Sequence, residues 1–185
     1  FSVLCNAFLF LTVLSAKKNR TIYAFMELLG VFTAWCTGSL FMRMTIYPGP
    51  AFWYQVSIMG IFLVPFFVYN FIYCFTDTRG NFVRGLLAAS WLVATVLNLF
   101  NVFITSPHVI DGAGGERRFE YGVSPLLALP VVLAVVTLWA AARLAYRSVR
   151  EDRVPLSQFK PMLVGVLIMF GFTVAAALPQ MVSLP

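Results

Sequence analysis

Six apolar stretches, each near or beyond the length that crosses a bilayer, dominate this sequence and leave it one kind of solvent. A spanning helix needs about 20 predominantly apolar residues. The runs fall at residues 1–16, 21–46, 52–76, 82–106, 123–146 and 161–184, the first of them short. Of 185 residues only 11% are charged and 61% are hydrophobic, whereas a soluble domain carries about 25% charged residues. So thin a charged shell cannot cover that much apolar surface in water, and mean hydropathy is +0.87. In hydrocarbon every backbone group must be satisfied within its own segment, which selects helices. The expected fold is all-α: a polytopic transmembrane bundle of six helices, with no soluble catalytic domain.

The breaks between runs have local causes. Tyr47, Pro48, Gly49 and Pro50 make a tight turn whose prolines cannot continue a helix. Asp77, Thr78, Arg79, Gly80 and Asn81 make a polar turn. Ser106 and Pro107 close the fourth run and open the longest polar loop, which contains Gly112, Gly114 and Gly115. Pro161 suits the first turn of the sixth helix. Pro65, Pro130 and Pro179 fall inside runs and are expected to kink them, which membrane bundles tolerate. Phe1 is already apolar and Pro185 follows an apolar run directly, so the expectation is a segment of a longer protein.

Charge placement sets the expected orientation. Lys17, Lys18 and Arg20 follow the first run, Arg79 and Arg84 the third, and Arg143, Arg147, Arg150, Arg153 and Lys160 the fifth. The opposite side holds Arg43, Arg117 and Arg118. Ten cations against three put the N-terminus outside and the first, third and fifth loops in the cytoplasm. The same scatter of short clusters argues against a nucleic-acid surface despite a net charge of +6.

Polar groups inside apolar runs are the candidate functional residues. Glu27 is the only carboxylate within a run. It reads either as an interfacial partner of Arg84 or Arg20, or as a coupling residue. Arg43, near the other end of the same run, can extend to the headgroups. Asn98 and Asn101 are three residues apart, so one helix face would carry both. With Arg43, Gln55 and Gln180 they form a candidate outward-facing ligand pocket, with Trp53, Tyr54 and Phe119 as aromatic walls. The rival reading is that these amides knit helices together. Asn70, beside Tyr69 and Tyr73, reads as packing, and His108, the single histidine, as a solvated loop residue.

No signal for catalysis accompanies them. Cys5, Cys36 and Cys74 lack metal or redox spacing and read as small apolar packing residues. The glycines at 112, 114 and 115 follow no expected strand and open no helix, so a nucleotide loop is excluded on context. No inverted repeat or set of charges in mid-span supports a transporter. Nothing in the sequence names a cofactor or a metal.

Several of these features resemble the N-terminal seven-transmembrane sensory region of bacterial histidine kinases, found also in some diguanylate cyclases. Trp35 and Gly38 stand where that family has a Trp in its second span. Phe52, Gly60, Pro65, Phe71 and Thr76 are similar to its third span. Asn98 and Asn101 match an Asn near the outer end of its fourth. Tyr121 and Gly122 resemble the lead into its fifth, although Val123 and Ser124 here separate them from Pro125. Gln158, Lys160, Pro161 and Gly165 resemble the start of its sixth. The resemblance implies a sensor and membrane anchor of the bacterial cytoplasmic membrane, working as a homodimer. A seventh helix and the output module would follow Pro185. A rival from another class is a structural subunit that binds pigment, quinone or lipid within a larger complex.

Overall fold

The computed structural model describes residues 8, 11–14, 19–78, 80, 82–105, 107–111 and 117–151. Its order is α1 (Arg20–Arg43), α2 (Pro50–Phe75), α3 (Phe82–Leu99), β1 (His108–Asp111), β2 (Arg117–Glu120) and α4 (Ala128–Arg150). Among the described residues, four helices are long and apolar enough to cross a membrane. Phe8 and residues 11–14 are helical, while the rest of the first run and the whole sixth lie outside the described residues. The chain divides into two compact units, Phe1–Ala142 and Arg143–Pro185. In the second, the described residues are the last turns of α4 and Glu151, where Ser148 Oγ donates to Leu144 O at 3.0 Å.

The starts of α1, α2 and α4 have local causes in the sequence. Asn19 is extended and its Oδ1 accepts from Ile22 N at 2.8 Å, satisfying one of the unpaired amides of the first turn of α1. Pro50 opens α2 behind Gly49, whose φ of 130° suits a residue without Cβ. Ser124 Oγ accepts from Leu126 N at 3.3 Å and leads a 3₁₀ turn, Pro125–Leu127, into α4. Pro130 therefore lies in the first turn of α4, where a missing N–H is tolerated, rather than kinking its interior. Pro65 is inside α2, which continues through it.

The helix ends correct the expected boundaries. Three helices finish with a residue in the left-handed region, Thr45 (φ 52°), Asp77 (φ 45°) and Asn101 (φ 59°). At each, paired reverse bonds close the helix: Thr45 N to Met42 O and Ile46 N to Phe41 O, Asp77 N to Cys74 O and Thr78 N to Tyr73 O, Asn101 N to Asn98 O and Val102 N to Leu97 O. This is the Schellman arrangement, usually built on glycine. The fourth helix thus ends at Leu99 instead of near 106. The polar loop beyond it contains an antiparallel hairpin, with His108 opposite Glu120 and Asp111 opposite Arg117. Its β-branched and aromatic residues, Val109, Ile110 and Phe119, favour extended backbone. The glycine cluster therefore does follow a strand, but a second strand rather than a helix comes after it.

Within the first unit, α1 and α2 run antiparallel and touch backbone to backbone. A Cβ on Gly38 would stand 2.6 Å from Ser57 N and 2.9 Å from Trp53 O. One on Gly60 would stand 2.8 Å from Trp35 N and from Trp35 Cβ. Two glycines, one per helix, let the backbones meet, as small residues do in membrane bundles. Ser57 Oγ adds a bond to Trp35 O at 3.3 Å. In α2, 61% of the apolar window is buried, against 28% in α1 and in α3, so α2 is the central helix. Phe62 carries it to the next layer: its ring stacks on Phe103 at 6.0 Å and meets Trp91 of α3 edge-on at 6.4 Å. Trp91 Nε1 then donates to Thr137 Oγ1 of α4 at 3.0 Å, a buried bond between helices.

These contacts give a contrast between glycines. Gly60→Ala and Gly38→Ala should each destabilise the detergent-solubilised protein by about 1–3 kcal/mol through overpacking. Gly30→Ala, with nothing within 4 Å of the added carbon, should be neutral or stabilising by up to about 1 kcal/mol. Thermal unfolding of the three variants tests the pair contact, which is wrong if all three behave alike.

Candidate functional site

Two polar clusters link the helices, one at each end of α2. At the hairpin end the backbone of Ile104 is held from two helices. Asn98, in the last turn of α3 and 1% exposed, accepts from Ile104 N through Oδ1 at 3.1 Å. Tyr54, in the second turn of α2, donates to Ile104 O at 3.4 Å. The Tyr54 ring lies against Tyr121 at 5.6 Å, and the Tyr121 hydroxyl donates to Met42 Sδ of α1 at 3.7 Å. Ile104 bridges to Val123, and Thr105 N and Gly122 O bond at 2.9 Å, so the strand-like base of the hairpin is tied to the same cluster.

Tyr121 precedes α4 and lies outside the spanning segments. Desolvation of its phenol against Met42 and Tyr54 raises its pKa, and the Arg43 guanidinium opposes that rise. The Asn98 Nδ2 amide approaches the Tyr54 hydroxyl without a well-formed hydrogen bond and is left unpartnered, as is Gln55 Oε1.

The structure brings part of the expected outer set together. Asn98, Tyr54 and, through its field on Tyr121, Arg43 belong to one cluster. Asn101 does not share a helix face with Asn98. It is exposed and forms the left-handed residue that ends α3, because asparagine tolerates that conformation better than most side chains. Trp53 instead donates from Nε1 to Ile46 O at 3.1 Å and meets Phe41 edge-on at 4.6 Å, bracing the α1–α2 turn. Phe119 is half-buried in β2 opposite Val109. Gln180 lies outside the described residues. His108 is exposed at the start of β1.

At the other, cation-rich end, Glu27 does not pair with Arg20 or Arg84. Its Oε2 accepts from Asn70 Nδ2 at 2.9 Å. Asn70 is 2% exposed and its own Oδ1 is unpartnered, so it is a buried polar link rather than apolar packing. Arg20 and Arg84 lie instead against the ring of Tyr73, at 5.2 and 5.4 Å from its centroid. Tyr73 donates to Gly80 O at 3.0 Å, and Thr21 Oγ1 donates to Cys74 O at 3.3 Å. Tyr73 had only an aromatic packing signal in sequence, and Ile104 had none, since its role rests on backbone groups.

Among the described residues no three of His, Cys, Asp or Glu gather as a metal site. The arrangement offers hydrogen bonds and charge–ring contacts between helices, suited to holding or releasing a helix packing. A family model described as the N-terminal 7TM region of histidine kinase matches residues 1–184. No curated protein and no solved structure matches the chain.

Removing the Asn98 acceptor leaves the half-buried Ile104 N–H without that partner, so Asn98→Leu should lower stability by about 1–3 kcal/mol in thermal unfolding. Tyr121 should ionise above the ordinary tyrosine range in an ultraviolet titration, and Arg43→Gln should raise it further. Because the folded state holds that proton more tightly, stability should decline as pH rises past the ordinary range. Tyr121→Phe should remove that decline, and an unchanged profile in Tyr121→Phe would show that the phenol is not its source.

Proposed function

The chain belongs to the N-terminal seven-transmembrane region of histidine kinases, and from that membership we propose that it is the input domain of such a kinase. In this reading residues 1–185 are six of the seven helices, with the N-terminus and the hairpin end outside the cell and the cation-rich end in the cytoplasm. The last helix of the family's seven leads to the output module, and the bacterial cytoplasmic membrane and a homodimer are its setting. A cue outside the cell or within the bilayer biases two packings of the helices. A ligand can shift that balance only by its difference in affinity for the two.

The family match over residues 1–184 carries this reading, and two buried amide oxygens without partners, Gln55 Oε1 and Asn70 Oδ1, support it, with Asn98 Nδ2 only loosely engaged by the Tyr54 hydroxyl. Buried polar groups in a single settled packing are nearly always bonded, and in hydrocarbon an unsatisfied one costs several kcal/mol. Two of them on α2, beside the loosely held Asn98 amide of α3, support a packing poised between arrangements, or a ligand that completes it. The outer set for that ligand is Arg43, Gln55, Asn98 and Tyr54, together with Gln180, and Glu27 couples α1 to α2 through Asn70. Family membership favours this over a pigment-, quinone- or lipid-binding structural subunit.

Gln55→Met keeps volume and removes one orphan acceptor. Relief of about 1–2 kcal/mol in one packing should change basal autophosphorylation of the intact kinase in nanodiscs by about tenfold, with insertion unchanged. Unaltered autophosphorylation in Gln55→Met and Asn98→Leu alike would leave knitting of helices as the whole role of these amides.

A further inference from the structure

Two helices deliver positive charge to one ring of a third at the cation-rich end. The Arg20 guanidinium comes from the first residue of α1 and that of Arg84 from the first turn of α3, and both stand within 5.4 Å of the Tyr73 centroid on α2. Among the described residues neither arginine forms an ion pair. Neither helix has an acidic residue in its first turn. Helix N-termini are themselves the positive ends of the backbone dipole, so the two cations sit in an unfavourable local field. Lys17, Lys18 and Arg79 add more charge in the adjoining sequence.

The nearby acids do not answer it. Glu27 is engaged by Asn70, about 10 Å along α1 from Arg20 at 1.5 Å per residue. Asp77 is exposed in the α2–α3 turn. Cations that merely mark sidedness extend separately to the headgroups. Here they converge, and the Tyr73 hydroxyl is fixed on Gly80 O, which ties the ring to the turn.

We infer that this end binds the phosphate of an anionic phospholipid headgroup, with Arg20 and Arg84 as charge-assisted donors and Tyr73 as the positioning residue that spaces them. The planar guanidinium fork matches phosphate oxygens in pairs. Basic clusters between spans at the membrane surface are suited to such headgroups. The site is separate from the outer polar set and stands whether or not that set binds a ligand.

The test is native mass spectrometry of the intact protein released from nanodiscs of phosphatidylcholine with a minor share of phosphatidylglycerol. The wild type should retain phosphatidylglycerol, and R20Q/R84Q should retain about tenfold less. R84Q alone, which removes one ring contact, should already weaken retention and decides the matter if the double variant fails to fold. R147Q/R150Q, which removes equal charge from the end of α4, should retain as the wild type does. Retention unchanged in R84Q and R20Q/R84Q overturns the site. Equal loss in R147Q/R150Q overturns it in favour of general charge attraction, and displacement by millimolar inorganic phosphate overturns the lipid as its source.

Discussion

The close approach of α1 and α2 at Gly38 and Gly60 is the contact on which the rest of the described structure depends. Lipid tails are as apolar as leucine, so burial alone does not hold membrane helices together. Dispersion at short range does, and it needs backbones to touch. With built Cβ positions of 2.6–2.9 Å to the facing helix, these two positions admit nothing larger than hydrogen. Their spacing also fixes register. Once Gly38 faces Ser57 and Gly60 faces Trp35, the antiparallel pair brings Phe25 to Phe71, Glu27 to Asn70 and Thr21 to Cys74 at one end, and Phe41 to Trp53 at the other. The polar links therefore need no long-range attraction of their own to find one another.

That order of causes explains how the polar groups are used. Amide pairs between spans are individually modest, about 1 kcal/mol or less, and could not by themselves position helices of 24 and 26 residues. Placed by the glycine contact, they instead distinguish one packing from close alternatives. Glu27 and Asn70 do this between α1 and α2. Asn98 and Tyr54 do it for the segment after α3, through the N–H and the C=O of a single residue, Ile104. Trp91 and Thr137 do it between α3 and α4.

The spanning helices were legible because length and lack of charge decide them without any partner. Their ends were not. Reading Pro and Gly as punctuation works for the start of α2 at Pro50, but α1, α2 and α3 end on Thr45, Asp77 and Asn101, whose left-handed backbone is paid for by paired reverse bonds that no composition reveals. The same miss misplaced Asn101, since a helix carried to 106 puts it on the face of Asn98. The hairpin was hidden because each strand is four residues long and a glycine cluster separates them. Glu27 was matched to arginine on charge, whereas its neighbour is set by the register of α1 on α2. Of the residues that meet at Ile104, Asn98 and Tyr54 stood out by residue type, while Tyr121 and Ile104 itself depend on chain geometry that only the folded loop supplies.

The clusters also divide the bundle into parts of unequal rigidity. The α1–α2 pair is locked along its length, by glycine contacts in the middle and side-chain bonds at both ends. By contrast, α3 meets α2 through aromatic rings, Phe62 with Trp91 and Tyr73 with Arg84, which tolerate small slides better than backbone contact does. It carries Asn98 in its last turn and Arg84 in its first, about 20 Å apart at 1.5 Å per residue. α3 thus carries a polar side chain in each of its end turns, bonded to the Ile104 backbone at one end and set against the Tyr73 ring at the other.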